Sequence, residues 1–547
     1  MASESDAPPK PPADDSANNA SVVLSTEPWR PQVNPWLIAL VVAMAAFMEV
    51  LDTSIANVAL PYMAGSLGAS NDESTWILTS YLVSNAIVLP ISGWFAAVLG
   101  RKRFFMLCLA IFTVSSLLCG IAPSLGAIIL FRVLQGAGGG GLQPVAQSIL
   151  ADTFPPQKRG LAFALYGITT IIAPTVGPTL GGWITDNYSW RWIFFINLPV
   201  GILTLFLVLR LVEDPPWMKR LMGAAVKIDY IGVALLTLGV GALQVMLDKG
   251  QEDDWFGSHF ILTLAVLAAV GLVSLVIWEW FRKEPIVDVR LFKNMNFLGA
   301  NAMMFMLGIM LFSSLVMMPQ FLQTLVGYTA TSAGLVLSGG ALVLLFLMPV
   351  AGTIVTKFQA RYIIGFGWLA LSLGMYYSTQ HLDLDISFRT ASFLRVLQVL
   401  GLAFLFVPIN IVAFVGVPAD KSNSVAGLIN FMRNIGSSIG TSMVTTLIAR
   451  RAQVHQLYLS ANTNPGHPTF MQAVQGLTSQ LTASGLEATR AAAQAYARVY
   501  QALIGQATTL AYIDTFWVLC IGAGIMFLVS FALKKNQPGA GGEVAVG

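Results

Sequence analysis

Two carboxylates, Glu49 and Asp52, stand about one helical turn apart in the apolar run 36–60, with Thr53 and Asn57 close by. A carboxylate at bilayer depth costs on the order of several kcal/mol unless it faces a cavity or a partner, so it is functional by default. Such a group can take up and release protons as its surroundings alternate. The competing reading is a structural hydrogen bond to a neighbouring helix. A later apolar run carries Arg132, Gly136, Gly139, Gln143 and Gln147 at helical spacing, a polar stripe that must face protein or water. Arg132 stays charged in any protein environment, which suits a counter-charge for Glu49 or Asp52. Bonding to backbone carbonyls is the alternative.

Two more segments concentrate unusual residues. Pro174, Gly177, Pro178, Gly181 and Gly182 fall within one run; the prolines remove backbone donors and kink a helix, and the glycines leave a flat side. This suits a rocking interface between helices, against a static kink. Asn430, Arg433 and Asn434, followed by Ser437, Ser438 and Thr441, lie along one face of another run. They suit a second wall of a central polar cavity, or else a seal against the tenth or eleventh helix. The glycine-rich run 136–141 lacks the Lys and Ser/Thr of a phosphate loop and instead permits close helix packing and bending.

The elements that position these residues follow from composition. The 547 residues are 56% hydrophobic and 10% charged, whereas soluble domains carry roughly 25% charged residues. A bilayer is therefore the solvent. A spanning helix needs about 20 apolar residues, and fourteen stretches qualify: 36–60, 75–96, 104–122, 125–150, 161–184, 190–210, 228–247, 259–281, 297–322, 332–356, 362–380, 391–416, 425–449 and 511–533. The chain reads as an all-α polytopic membrane protein. An even number of crossings puts both termini on one side. Lys and Arg cluster in the loops of that side (Arg101, Lys102 and Arg103; Lys158 and Arg159; Lys534 and Lys535), while the opposite short loops hold only Arg191, Lys249 and Arg389. Positive residues mark the cytoplasm, so both termini are expected there.

A weak internal repeat divides the chain. Arg132-Val133-Leu134-Gln135 recurs as Arg395-Val396-Leu397-Gln398, and Gly93 followed by Arg101, Lys102 and Arg103 is echoed by Gly352, Lys357 and Arg361. Parallel repeats of this kind occur in secondary transporters. The expected organisation is a disordered tail 1–34, a six-helix bundle 35–210, an inserted helix pair 211–285, a second bundle 286–535 that includes a long outer loop 450–510, and a tail 536–547. The first span is expected to serve as its own insertion signal. Four scattered histidines, and three cysteines in apolar segments, offer neither a metal site nor a disulfide framework. The net charge of +3 is too small and dispersed for nucleic acid. No nucleophile–base set or cofactor loop is present, so an enzyme is not expected and no cofactor is implied.

The run Leu51-Asp52-Thr53-Ser54-Ile55-Ala56-Asn57-Val58-Ala59-Leu60-Pro61 resembles the signature of the fourteen-helix drug:proton antiporters of the major facilitator superfamily. Trp76-Ile77-Leu78-Thr79-Ser80-Tyr81, the stretch from Arg132 to Gly139, Gly177-Pro178-Thr179-Leu180-Gly181-Gly182, and Trp190-Arg191-Trp192-Ile193-Phe194-Phe195-Ile196-Asn197-Leu198-Pro199 follow in the family's order. Gln244-Val245-Met246-Leu247-Asp248-Lys249-Gly250, Pro285-Ile286-Val287-Asp288 and Gly327-Tyr328-Thr329-Ala330-Thr331 are similar to the EmrB branch of Gram-negative bacteria. The resemblance implies the major facilitator fold and an inner-membrane location. It also implies export of amphipathic toxicants in exchange for protons, with Arg132 assisting proton transfer. It further implies a periplasmic adaptor and a TolC-type outer-membrane channel as partners. An exporter or importer dedicated to one metabolite or siderophore is the rival reading.

Two positions depart from the pattern. In the loop after the second span, Gly93, Gly100, Arg101 and Arg103 match the superfamily's gating motif, but Ala97 stands where that motif usually has Asp, which removes one charge from the cytoplasmic lock. Glu49 stands where the branch is expected to carry an uncharged polar residue, and a second carboxylate there would add a proton or favour cationic substrates. Within 450–510, residues 482–510 lack proline and suit a helix running into the last span. That loop is read as a solvated cap or as a docking surface for another protein.

Overall fold

A computed structural model of the chain describes residues 31–214, 229–282, 285–418, 421–461, 463–464 and 466–534. The tail 536–547, nearly all of the tail 1–34 and much of the link between the sixth and seventh spans lie outside the described residues. Among the described residues, twelve helices are long and apolar enough to cross a membrane. The first half comprises α1 (Pro35–Leu67), α2 (Trp76–Leu99), α3 (Arg101–Gly120), α4 (Leu125–Thr153), α5 (Pro156–Asn187) and α6 (Asn197–Leu211), the last preceded by a short turn, Trp192–Phe195. The inserted pair is α7 (Tyr230–Lys249) and α8 (His259–Phe281). The second half comprises α9 (Met295–Thr324), α10 (Ala330–Ile354), α11 (Ala360–His381), α12 (Phe388–Ala413), α13 (Ser422–Ser460), a helix outside the apolar spans α14 (Pro468–Ala483), and α15 (Ala488–Ser530). Two further long helices, α11 and α13, pack among the twelve at the places of the eleventh and thirteenth stretches read from the sequence.

The two halves pack mainly within themselves and meet along two seams, α5 against α10 and α2 with α4 against α13. Small residues allow both approaches. A Cβ on Gly160 would lie 2.3 Å from the Gly352 carbonyl oxygen, and one on Gly93 would lie 2.9 Å from the Ser424 backbone. These contacts gather at the face that carries the start of α1 and the end of α15, here called the terminal face. Arg101 adds a lock there: it pairs with Asp152, donates from Nε to Asn423 Oδ1 at 2.6 Å and reaches the Ser422 hydroxyl. The chain turns into this lock at Gly100, whose φ of 85° suits a residue without a Cβ. Arg103, expected beside it, is exposed.

The inserted pair crosses at Gly239 and Gly271, each backbone within 3 Å of where the other's Cβ would stand. It grips both halves toward the opposite, distal face. Gln244 donates to Ser438 Oγ of α13 at 2.9 Å, Trp255 Nε1 to Thr446 Oγ1 of α13 at 3.0 Å, and Thr79 of α2 to the Asp248 carboxylate. The segment 244–250 thus consists largely of the residues that tie α7 to its neighbours.

Beyond the distal face α13 continues to Ser460, well past the expected span end at 449, because no Gly or Pro interrupts residues 441–460. As expected, α15 begins far ahead of its span. With α14 it forms a hairpin that closes on Val474, Leu481, Ala491 and Ala495. Asp514 of α15 accepts from Arg451 Nε at 2.6 Å and lies 2.7 Å from His455 Nε2, both on α13.

Candidate functional site

The polar residues of the first half converge on two adjoining networks. Asp52 lies at the centre of one. Its carboxylate accepts from Arg132 Nη1 at 2.5 Å, Gln135 Nε2 at 2.9 Å and Asn197 Nδ2 at 2.7 Å. Both side chains of the Asp52–Arg132 pair are essentially sealed from solvent, at 1% and 0% exposure. Further hydrogen bonds help a buried pair to persist. Arg132 also donates from Nε to the Ile77 carbonyl and from Nη1 to Gln135 Oε1, while its Nη2 has no hydrogen-bond partner; its guanidinium lies 4.2 Å from the Tyr81 ring centroid. Both readings of Arg132, counter-charge and carbonyl clamp, describe the same side chain.

Glu49 is the hub of the second network. It accepts from Tyr81 Oη at 3.2 Å, Asn85 Nδ2 at 3.1 Å and Gln143 Nε2. Gln143 is oriented by charge, its amide nitrogen toward Glu49 and its oxygen accepting from Arg433 of α13 and from Tyr166. One step along the same seam Asn430 and Gln147 donate to each other, at 2.8 and 3.3 Å. The two carboxylates therefore turn to different partners, and Tyr81 connects them by donating to Glu49 while supporting Arg132 on its ring.

Glycines make this closeness possible. The α4 run packs between two helices: Gly136 and Gly139 face Tyr81, Gly140 faces Asn85, and on α3 Gly138 faces Cys108 and Phe112 while Gly141 faces Cys108 and Phe104. A Cβ on Gly139 would lie 2.5 Å from Tyr81 Oη.

Several expected positions sit elsewhere. Thr53 is half-buried and donates to its own helix at Val50 O, and Asn57 is exposed farther toward the distal face. The alternative of a seal by α13 against α10 or α11 is corrected. Its polar residues Asn430 and Arg433 face α4, and its small residues face α9, with Gly436 against Phe305 and Gly440 against Ile309. Asn434 is half-buried, with Oδ1 unpartnered. The flat side of α5 meets α1 inside the first half rather than the second half: Gly177 packs on Ser54 and Gly181 on Ile55, with Gly182 near Val58. Pro178 has no N–H, so it leaves the Pro174 carbonyl without its helical donor, and Ser54 Oγ of α1 donates to that oxygen at 3.1 Å. Gln135, Asn197, Tyr81 and Asn85 complete the two carboxylate networks without having been singled out, although the first three fall inside quoted motifs.

Comparison with known proteins gives the family of the chain. The family model described as Major Facilitator Superfamily matches residues 42–441. The chain belongs to this superfamily. Among curated relatives of this facilitator, the Multidrug export protein EmrB of Haemophilus influenzae is 38% identical over 497 residues, covering 91% of this chain and 95% of that protein. The protein of the same name from Escherichia coli K12 is 36% identical, covering 92% and 96%. The Fatty acid resistance protein FarB of Neisseria gonorrhoeae is 38% identical, covering 82% and 87%. Among solved structures, the proton:xylose symporter XylE bound to 6-bromo-6-deoxy-D-glucose superimposes with a TM-score of 0.58 at 14% identity, covering 93% of the facilitator and 97% of XylE. At that identity the likeness speaks for the fold alone.

Proposed function

We propose that this facilitator is a multidrug exporter of the EmrB type, driven by protons and moving amphipathic toxicants out of the cytoplasm. The observation that carries the reading is the sealed Asp52–Arg132 pair, an acid with a fixed counter-charge at membrane depth. The names of the full-length relatives supply the substrate class. Basic residues on the terminal face, Arg101, Lys102, Lys158, Arg361 and Lys421 among them, support its assignment to the cytoplasm and the distal face to the periplasm.

In the cycle we infer, protonation of Asp52 from the periplasm removes the charge that holds Arg132 and favours the inward-facing form. Substrate entering there promotes release of the proton to the cytoplasm. We assign the structure to the outward-directed stage, a reading supported by the terminal-face seam shut at Arg101, Gly93 and Gly160 and by the exposure of Asn57, Pro61 and Thr179 toward the distal end. Gln143, Gln147, Asn430 and Arg433 form the floor of the substrate cavity, where the halves part. The hairpin of α14 and α15 is the surface for a periplasmic adaptor, which would connect the exporter to a TolC-type outer-membrane channel. Asp52→Asn in proteoliposomes with an imposed pH gradient tests the coupling role: gradient-driven export should vanish while substrate binding persists. Undiminished export would overturn the assignment.

A further inference from the structure

The internal repeat places a second arginine, Arg395, at the same depth in the second half as Arg132 in the first, each seven residues into its helix. Each keeps one buried nitrogen without a hydrogen-bond partner, Nη2 of Arg132 and Nε of Arg395, and the difference lies in the counter-charge. Arg132 has Asp52, whereas Arg395, 2% exposed, donates from Nη1 to the neutral Ser314 hydroxyl at 3.0 Å and has its buried Nε unpartnered. Gln398 stands where Gln135 stands in the repeat, yet its amide nitrogen donates to Ser378 and its Oε1 is unpartnered. The sequence offers no acid to complete the set. Between 295 and 460 its acidic residues are Asp383 and Asp385, exposed between α11 and α12, and Asp420 before α13. Asp514 in α15 is engaged by Arg451 and His455.

A guanidinium sealed away from water without a counter-charge carries a large desolvation cost, and burial of such a group ordinarily requires a paired anion. We propose that the second half binds a small monovalent anion, a halide or the carboxylate of a small ligand, on Arg395 and Ser314. It takes the place that the Asp52 carboxylate occupies in the first half. The anion accepts from the guanidinium and the Ser314 hydroxyl, so the site needs no acid of its own. Its tight packing, with Gly340 against the Arg395 side chain, limits the occupant to a few atoms.

Thermal unfolding of the purified protein, at constant pH and ionic strength, tests this as bulky isethionate is replaced by chloride or acetate. We expect a saturable rise of the midpoint. Chloride alone raising it assigns the site to halide, and acetate alone to a carboxylate; a rise with either supports the anion. Arg395→Gln should abolish the response. Should that variant fail to fold, Ser314→Asp supplies an internal carboxylate, as Asp52 does for Arg132, and should give a midpoint insensitive to the anion. Equal midpoints for the unaltered protein in all three salts would overturn the proposal, as would an anion response that survives Ser314→Asp or Arg395→Gln.

Discussion

Asp52 and Arg132 are coupled so closely that neither is removed without cost to the other. Arg132→Ala leaves a sealed carboxylate without its cation, a change that typically costs about 3–5 kcal/mol. The double variant Asp52→Asn with Arg132→Gln removes both charges and keeps much of the volume. Its melting midpoint should therefore lie above that of Arg132→Ala, and a lower value would mean that the pair's charge is not what stabilises the site. Glu49 differs, because its partners are two amides and a phenol, with Arg433 reached only through Gln143. Glu49→Gln should thus be milder on stability than any change at Arg132, and its transport defect should be larger for cationic than for neutral substrates; equal losses would exclude a charge role. The two acids were legible in the sequence because carboxylates at bilayer depth are rare. Gln135, Asn85 and Asn197 were not, because amides are common in spans and only the folded arrangement aims three of them at two carboxylates.

Among the elements, α4 supplies Arg132, Gln135 and Gln143 to the site, while its glycines let α2 approach closely enough to add Tyr81 and Asn85. Gly139→Ala would press a methyl group on Tyr81 Oη, the hydroxyl that donates to Glu49. Export should fall more sharply than thermal stability, and a Tyr81→Phe background should recover part of the loss by removing the clash. If export is unchanged, the α2–α4 contact has slack that the structure does not show. Helix ends were harder to read than helix cores. The apolar stretch read in α13 ends at 449, but the continuing run of helix-forming residues carries the helix to Ser460. The flat side of α5 was visible as glycines and prolines, while its partner, α1, was not, since spacing within one helix does not say which helix approaches it.

For the whole molecule, the terminal-face seam makes a mechanical prediction. Gly160→Val would press its side chain on the Gly352 backbone and hold the seam apart, so it should reduce export more than Gly160→Ala does; full export by Gly160→Val would exclude close approach of the halves at this seam. At the distal end, deletion of 460–505 should abolish adaptor capture while leaving uptake of protons in proteoliposomes. Retained capture would place docking elsewhere. The two-half plan was legible from a four-residue repeat and the charge distribution, and the inserted pair from its place between them. That this pair bridges both halves through Gln244, Trp255 and Asp248 depends on contacts no single segment announces. The bond from Ser54 to the Pro174 carbonyl, two residues beyond Asp52, has a last consequence. A missing rung in one helix is filled by a hydroxyl on another, so α5 is in effect keyed to the axial position of α1. A slip of α1 by one residue on protonation would withdraw that hydroxyl and leave α5 free to bend.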